Sequence, residues 1–164
     1  MSTPDFILAL RAKVGTHPLW LSGVTAVVVD GDRVLLVRRA DNGAWTPVTG
    51  IIDPGEHPAD AAVREVLEET GVDAAPERLA LVHVTKMSVY TNGDQAQYLD
   101  LVFRCRHLGG EPYPADGENT ETAWFPLDAL PPMSEDMLNR IATAVGEHAA
   151  AHFHVGGAVT AGLG

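Results

Sequence analysis

The sequence predicts an α/β domain, and three observations predict it. Two runs rich in valine and leucine, Val24 to Val29 and Val34 to Arg39, flank Asp30-Gly31-Asp32 as strands flank a hairpin turn. A Gly/Pro-punctuated turn from Gly50 feeds a helix that carries Pro58 in its first turn and stops at Gly71. A second pair of strand-like runs, Arg78 to Ser88 and Gln97 to Arg106, meets at Asn92-Gly93, and a last helix starts after Ser134. With 164 residues, 46% hydrophobic and 20% charged, the chain is long and apolar enough for one domain with a real core.

In chain order, Thr3-Pro4-Asp5 opens a short amphipathic helix carrying Phe6, Ile7, Leu10 and Val14 and ending near Gly15, so residues 1–18 read as an N-terminal extension. The main domain spans 19–150. It begins with strand-like Trp20-Leu21 and then the first hairpin, in which alternation puts Leu35, Val37 and Arg39 on one face and Leu36 and Arg38 on the other. Ala40 to Ala44 is a turn-rich loop leading to Trp45 and Pro47. After the second hairpin, Gly109 to Asn119 is a loop holding Glu111, Asp116 and Glu118, and Glu121 opens a strand through Phe125. Trp45, Trp124 and Phe125 read as core. Early acids Glu135 and Asp136 and spaced apolar Met137, Ile141 and Val145 define the last helix. Residues 151–164, rich in Ala and Gly, are expected as a flexible tail, and His148, His152 and His154 as surface histidines.

Composition bounds the function. Asp and Glu outnumber Lys and Arg by 22 to 11, giving a net charge of −11, which disfavours a broad grip on nucleic acid or an anionic membrane and leaves small metal-chelated anions acceptable. The single cysteine, Cys105, excludes an internal disulfide framework and fits a reducing compartment, so a cytoplasmic location is expected; its strand setting suits a buried, inert thiol. No apolar run approaches the roughly 18 residues of a membrane span, and the N-terminus lacks a basic-then-apolar pattern.

The chemistry concentrates on the helix after Pro58. Glu65, Glu68 and Glu69 stand at i, i+3 and i+4 and share one face, while Val63, Val66, Leu67 and Thr70 are expected to face the core. Three carboxylates that close repel one another unless cations neutralise them. Carboxylate oxygens are hard ligands, which favours Mg²⁺ or Mn²⁺, and Mg²⁺ typically combines a few carboxylates with substrate phosphates and waters. The pattern points to phosphate chemistry.

Gly50, Glu56, Arg64, Glu65, Val66, Glu68, Glu69, Gly71 and Val72 fill every fixed position of a motif that resembles the Nudix box. The resemblance implies the Nudix fold, an α/β/α sandwich around a mixed sheet, here with added N-terminal and C-terminal helices. It implies a metal-dependent hydrolase that directs water onto a phosphorus of a diphosphate linkage. The substrate would be a nucleoside diphosphate joined to another moiety: a nucleotide sugar, ADP-ribose, a dinucleoside polyphosphate or a nucleoside triphosphate. By the same resemblance Glu65, Glu68 and Glu69 bind metal, with Glu69 central, Glu56 contributes through water or by bonding to the helix, and the Gly50 carbonyl reaches the metal from a permissive backbone. Arg64, about 100° around the helix from Glu65, is placed to hold a carboxylate in register.

The strand before the box resembles the one from which Nudix proteins can offer the second of two arginines to a substrate phosphate, so the resemblance makes Arg39 the candidate, with Arg38 in reserve. Tyr90 resembles a tyrosine that stacks on a base in relatives cleaving diadenosine polyphosphates, although Asn92-Gly93 beside it is first a hairpin signal. A late acidic loop in the family supplies a further carboxylate as base or ligand, here Glu118 and then Glu121. Many members carry Pro-Gly-Gly before the box, whereas this chain has Pro47-Val48-Thr49-Gly50 and keeps only the last glycine. The alternative is a non-catalytic nucleotide-binding or regulatory module of the same fold, which usually loses the acids. An isoprenoid diphosphate isomerase would want a catalytic cysteine, and Cys105 is set in a strand. Family members are often homodimers, and the terminal helices offer surfaces for one; the sequence does not choose.

Overall fold

The computed structural model describes residues 3–156 and 158–160. In chain order the elements are α1 (Asp5–Val14), β1 (Leu19–Asp30), β2 (Arg33–Arg39), β3 (Trp45–Thr46), β4 (Val48–Ile51) and α2 (Pro58–Thr70). There follow β5 (Asp73–Val84), β6 (Ser88–Val89), β7 (Gln95–Gly109), β8 (Asn119–Pro126), α3 (Glu135–Val145), β9 (His152–Val155) and β10 (Ala158–Thr160). The strands form one mixed sheet in the order β10-β9-β5-β7-β1-β2-β3, with β4 joined to β1, β6 to β7 and β8 to β2.

β1 organises the sheet because it is paired with three other strands. It runs parallel to β7 from Leu19↔Ala96 to Val29↔Arg106, turns into β2 through the expected hairpin, and takes β4 antiparallel from Gly23↔Ile51 to Ala26↔Val48. Alternation along it divides the core in two. Val24, Ala26 and Val28 pack with Ala61, Ala62 and Val66 of α2, whereas Val27 and Val29 pack with Ile141 and Ala144 of α3. The two helices therefore cover opposite faces, which is the predicted sandwich. α1 is docked on the same domain: Ile7 packs with Leu21 and Ala96, and Arg11 Nη2 donates to the Gln95 carbonyl at 2.6 Å.

Several boundaries differ from the sequence expectation. Trp20-Leu21 and Val24 to Val29 belong to one strand, paired along its length with β7 in a parallel ladder. β5 starts at Asp73, before Arg78, and ends at Val84, leaving Ser88 in the separate β6; Pro76, which has no amide to donate, sits at a register irregularity of the β5/β7 ladder. The segment from 151 reads as a flexible tail, yet His152–Val155 lies parallel to β5 through Leu81↔His152 and Val82↔Phe153, and β10 folds back on it. An open sheet edge orders a segment by backbone pairing, which composition does not reveal. Residues 161–164 of that segment lie outside the described residues.

Cys105 is fully buried, and burial pushes its thiol up to about 12, as expected for an inert core cysteine. Among the described residues, no helix is long and apolar enough to cross a membrane.

A buried polar network that the sequence does not announce locks α3 to the sheet. Arg140 Nη1 donates to Thr25 Oγ1 at 2.9 Å and lies 3.3 Å from Asp100 Oδ2, while its Nη2 donates to Asp136 Oδ2 at 2.6 Å. Thr25 Oγ1 donates to Asp100 Oδ2 at 2.8 Å, and His83 Nε2 lies 3.0 Å from the same oxygen. Asp100→Ala removes the acceptor that three buried partners share. It is expected to cost about 3 kcal/mol or more in a urea titration, because breaking a buried pair strands the remaining charge; a loss within about 0.5 kcal/mol, the range of an ordinary surface substitution, would contradict this reading.

Candidate active site

The acids of α2 are not on a solvent face. Ala61, Ala62, Glu65, Val66, Glu69 and Thr70 form its buried stripe, whereas Leu67 is 49% exposed and Glu68 and Val63 lie outside the stripe. Residues at i, i+4 and i+8 advance about 40° per step, so Ala61, Glu65 and Glu69 share one edge of the core stripe rather than opposing it. The expectation that Leu67 faces the core is thus corrected, and two of the three acids are in it. What admits them is Gly50. A Cβ added at Gly50 would overlap the Glu65 carboxyl, and its backbone, in the extended β4, has no positive φ. Glycine is needed there for space and not, as the sequence suggested, for conformational freedom.

Arg64 gathers three carboxylates. Its Nε and Nη2 donate to Glu56 Oε1 and Oε2 at 2.7 and 2.9 Å as a two-pronged fork, and its Nη1 donates to Glu65 Oε1 at 2.9 Å and to Glu68 Oε2 at 3.3 Å. Nη2 also donates to the Ile51 carbonyl at 3.2 Å, tying the helix to β4. Glu56 in turn accepts from the Asp53 amide, closing the turn ahead of the helix. Glu56 therefore bonds to the helix, one of its two expected roles. The fork, rather than a closed ligand set, fixes the spacing: among the described residues no three Asp, Glu, His or Cys side chains form a ready metal-holding group.

Glu69 has different company. Asn119 Nδ2 donates to its Oε2 at 2.8 Å, and the charges of Asp116, Glu118 and Arg39 all act on it. The loop carrying Asp116 is pinned to the end of α2 by Ala115 N to Glu69 O and Tyr113 N to Thr70 O, both 3.0 Å. Of the two predicted late carboxylates, Glu118 comes to this side and Glu121 does not, being paired with Arg38 at 2.6 Å on the other face. Arg39 lies on the α2 face, as alternation requires, gripping Asp41 through Nε and Nη2 at 2.9 and 2.8 Å. Arg38 is directed away from the acids. Tyr90 closes the predicted turn and its hydroxyl lies 2.8 Å from that of Tyr98, whose ring packs against Gly23 beside Gly50. Sequence reasoning missed Asn119 and Tyr98 and underweighted Asp116, whose effect on Glu69 exceeds that of Glu118.

Burial dominates the electrostatics. It pushes the Glu65 carboxyl up to about 8 against the opposing pull of Arg64, with Glu69 and Glu68 adding to the rise. Glu69 is raised to about 7 by burial, opposed by the Asn119 hydrogen bond and reinforced by Asp116 and Glu118. Glu56 is lowered, chiefly by its bond to Arg64. The Glu65 Oε2 atom is buried without a hydrogen-bond partner. Two buried carboxyls short of positive charge, one with a bare oxygen, and an all-oxygen donor set fit a hard divalent cation.

A family model described as the NUDIX domain matches residues 20–144, three quarters of the chain and all of this site. The chain belongs to the Nudix family. Its relatives include a MutT-like protein of Streptomyces ambofaciens, 36% identical over 114 residues that span 69% of this chain and 68% of that one. An NAD-capped RNA hydrolase NudC of Pseudomonas aeruginosa is 33% identical over 119 residues; the match takes in 71% of this chain but only 40% of that protein. Among solved structures, an ADP-ribose pyrophosphatase of Streptococcus suis superposes with a TM-score of 0.64 at 25% identity, covering 82% of this chain and 98% of that one. The chain is an enzyme of the Nudix hydrolase type.

The raised carboxyls give this Nudix site a pH signature. Glu65 and Glu69 keep their protons to higher pH when folded than when unfolded, so the folded chain binds more protons between the ordinary 4.5 and about 8. Their stabilising share is complete below the ordinary value and is lost as pH rises through about 7 and about 8. In EDTA, Tm is therefore expected to fall across that window, and the slope to flatten in Glu65→Gln and Glu69→Gln. A metal-free Tm that is level or rising there would refute the assignment.

Proposed function

We propose that this chain is a metal-dependent pyrophosphohydrolase acting on a nucleoside diphosphate linked to another moiety. The observation that carries the reading is the buried pair Glu65 and Glu69, raised in pKa and, at Glu65 Oε2, left with an unpartnered oxygen. Glu65, Glu68 and Glu69, with the Gly50 carbonyl, would hold Mg²⁺ or Mn²⁺, which supplies positive charge to the diphosphate and acidity to the attacking water. Arg64 keeps Glu56, Glu65 and Glu68 in register, so its part is orientation. Arg39, on the acid side, meets substrate phosphate. Glu118 or its neighbour Asp116 takes the proton from water; both carboxylates act on Glu69, and Glu121 is turned to Arg38.

The substrate reading rests on the acid set and on the relatives, which include an ADP-ribose pyrophosphatase and an NAD-capped RNA hydrolase. The decisive experiment is a hydrolysis panel of ADP-ribose, nucleotide sugars, dinucleoside polyphosphates, NADH and nucleoside triphosphates with Mg²⁺ or EDTA, products being resolved by chromatography. Glu69→Gln is expected to abolish the metal-dependent product while keeping the fold; full turnover in that variant would overturn the role given to Glu69, and silence of the wild type across the panel with nucleotide still raising Tm would instead support a binding module.

The late carboxylates separate in the same assay. Glu118→Gln or Asp116→Asn is expected to lower kcat by about 10²-fold or more, the usual contribution of a general base. Glu121→Gln is expected to keep wild-type kcat; a comparable loss in that variant would overturn the assignment of the loop.

A further inference from the structure

We infer that Asn119 is a positioning residue for the acid site, aimed at Glu69 by a β-bulge and setting which carboxylate oxygen Glu69 offers to a divalent cation. The inference rests on the metal-dependent reading above and adds to it a residue outside the Nudix box.

The bulge is what brings Asn119 there. Along the β2/β8 ladder the pairs are Leu35↔Trp124, Leu36↔Ala123, Val37↔Thr122 and Arg38↔Glu121. Trp124 packs with the α2 cluster and Phe125 with the α3 cluster, so even-numbered residues of β8 face α2 and odd-numbered ones face α3. Continued regularly, Arg39 would oppose Thr120, and Asn119 would point to the α3 side. Instead the register shifts between Arg38 and Arg39, and Arg39 opposes Asn119. Thr120 is the extra residue, exposed, its hydroxyl donating to the Arg38 carbonyl at 3.3 Å. One inserted residue thus turns Asn119 onto the α2 face beside Arg39, a use to which bulges near functional sites are put.

Asn119 is 6% exposed, and its Nδ2 donates to Glu69 Oε2 at 2.8 Å. An ionised carboxylate only accepts, so the amide presents its NH₂ side; the bond occupies one acceptor site of Oε2 and leaves Oε1 the less engaged of the two oxygens. The donor is neutral. It orients Glu69 without cancelling the charge that attracts a cation, whereas an arginine here would neutralise it. Arg64 does the corresponding work for Glu65 from within the box; Asn119 does it for Glu69 from a strand some fifty positions later in the sequence.

The test is Mn²⁺ binding followed by electron paramagnetic resonance on the full chain, with Tm and steady-state kinetics alongside, for wild type, Asn119→Ala, Asn119→Ser, Asn119→Gln and Glu69→Gln. Asn119→Ala and Asn119→Ser, which respectively lack the donor and hold it too short, are expected to weaken Mn²⁺ binding by about 10-fold or more, the usual effect of losing an outer-shell partner. Asn119→Gln, which keeps the amide, is expected to recover part of it. In the same variants kcat falls while KM for the substrate found in the panel stays near wild type. Wild-type Mn²⁺ affinity in folded Asn119→Ala or Asn119→Ser would overturn the inference. Wild type that fails to bind Mn²⁺ at all would overturn the metal-dependent reading instead, so the two failures are distinguishable.

Discussion

The site depends on one constraint, the burial of two carboxyls on the core-facing stripe of α2. Glu65 is fully enclosed and Glu69 nearly so. Ionised carboxyls do not enter such surroundings without partners, and the neighbouring elements can be understood as the means of admitting them. β4 passes at glycine because any side chain at Gly50 would occupy the Glu65 carboxyl's place. The turn from Asp53 to Glu56 curls back so that Glu56 can hold Arg64 from two sides. Arg64 reaches Glu65 and Glu68, and Glu69 receives a neutral amide from Asn119. The partners are therefore of different kinds, a guanidinium for Glu65 and Glu68 and an amide for Glu69.

The other face of the sheet makes the contrast. There Asp100 and Asp136 meet Arg140 and His83, and Thr25 bonds to both Asp100 and Arg140. On the α2 face Glu56, Glu65, Glu68, Glu69, Asp116 and Glu118 face Arg64 and Arg39, and Arg39 is also engaged by Asp41. Both clusters are costly to bury. The first joins α3 to three strands and is a structural lock. The second sets more carboxylates than guanidiniums side by side, with Glu65 Oε2 buried and unpartnered, and that excess of negative charge suits a cationic ligand.

Much of this was legible in the chain because it is local. The i, i+3, i+4 spacing of the acids, Pro58 at the start of α2, Gly71 at its end with φ of 68°, and Ser134 accepting from the Met137 amide are all set by neighbours within a few residues. The illegible parts depend on pairing between distant segments. Alternation in β8 directs Asn119 to the wrong face, because the register shift opposite Arg39 is a property of two strands and not of one. Helical spacing groups the acids correctly yet does not say whether their face is wet. That is decided by β4 lying over it, and so Leu67 and Glu65 exchange the environments that polarity alone assigns. The edge pairing of β9 likewise comes from β5 and leaves no mark on the composition of 151–164.

The departure from the common Pro-Gly-Gly pattern illustrates how narrow the constraint is. Val48 is fully buried in the α2-side core and Thr49 stands opposite Thr25, next to the lock under α3. Both positions of the missing pattern are thus occupied by side chains on the two faces that strand alternation offers them. At the next position the face toward α2 is filled by the Glu65 carboxyl, and a side chain of any size is excluded. Of the three positions, then, the acid site requires glycine at one, and the other two answer to the core and to the strand ladder. In that stretch the core constrains Val48 and the strand ladder Thr49, and only Gly50 answers to the placement of Glu65.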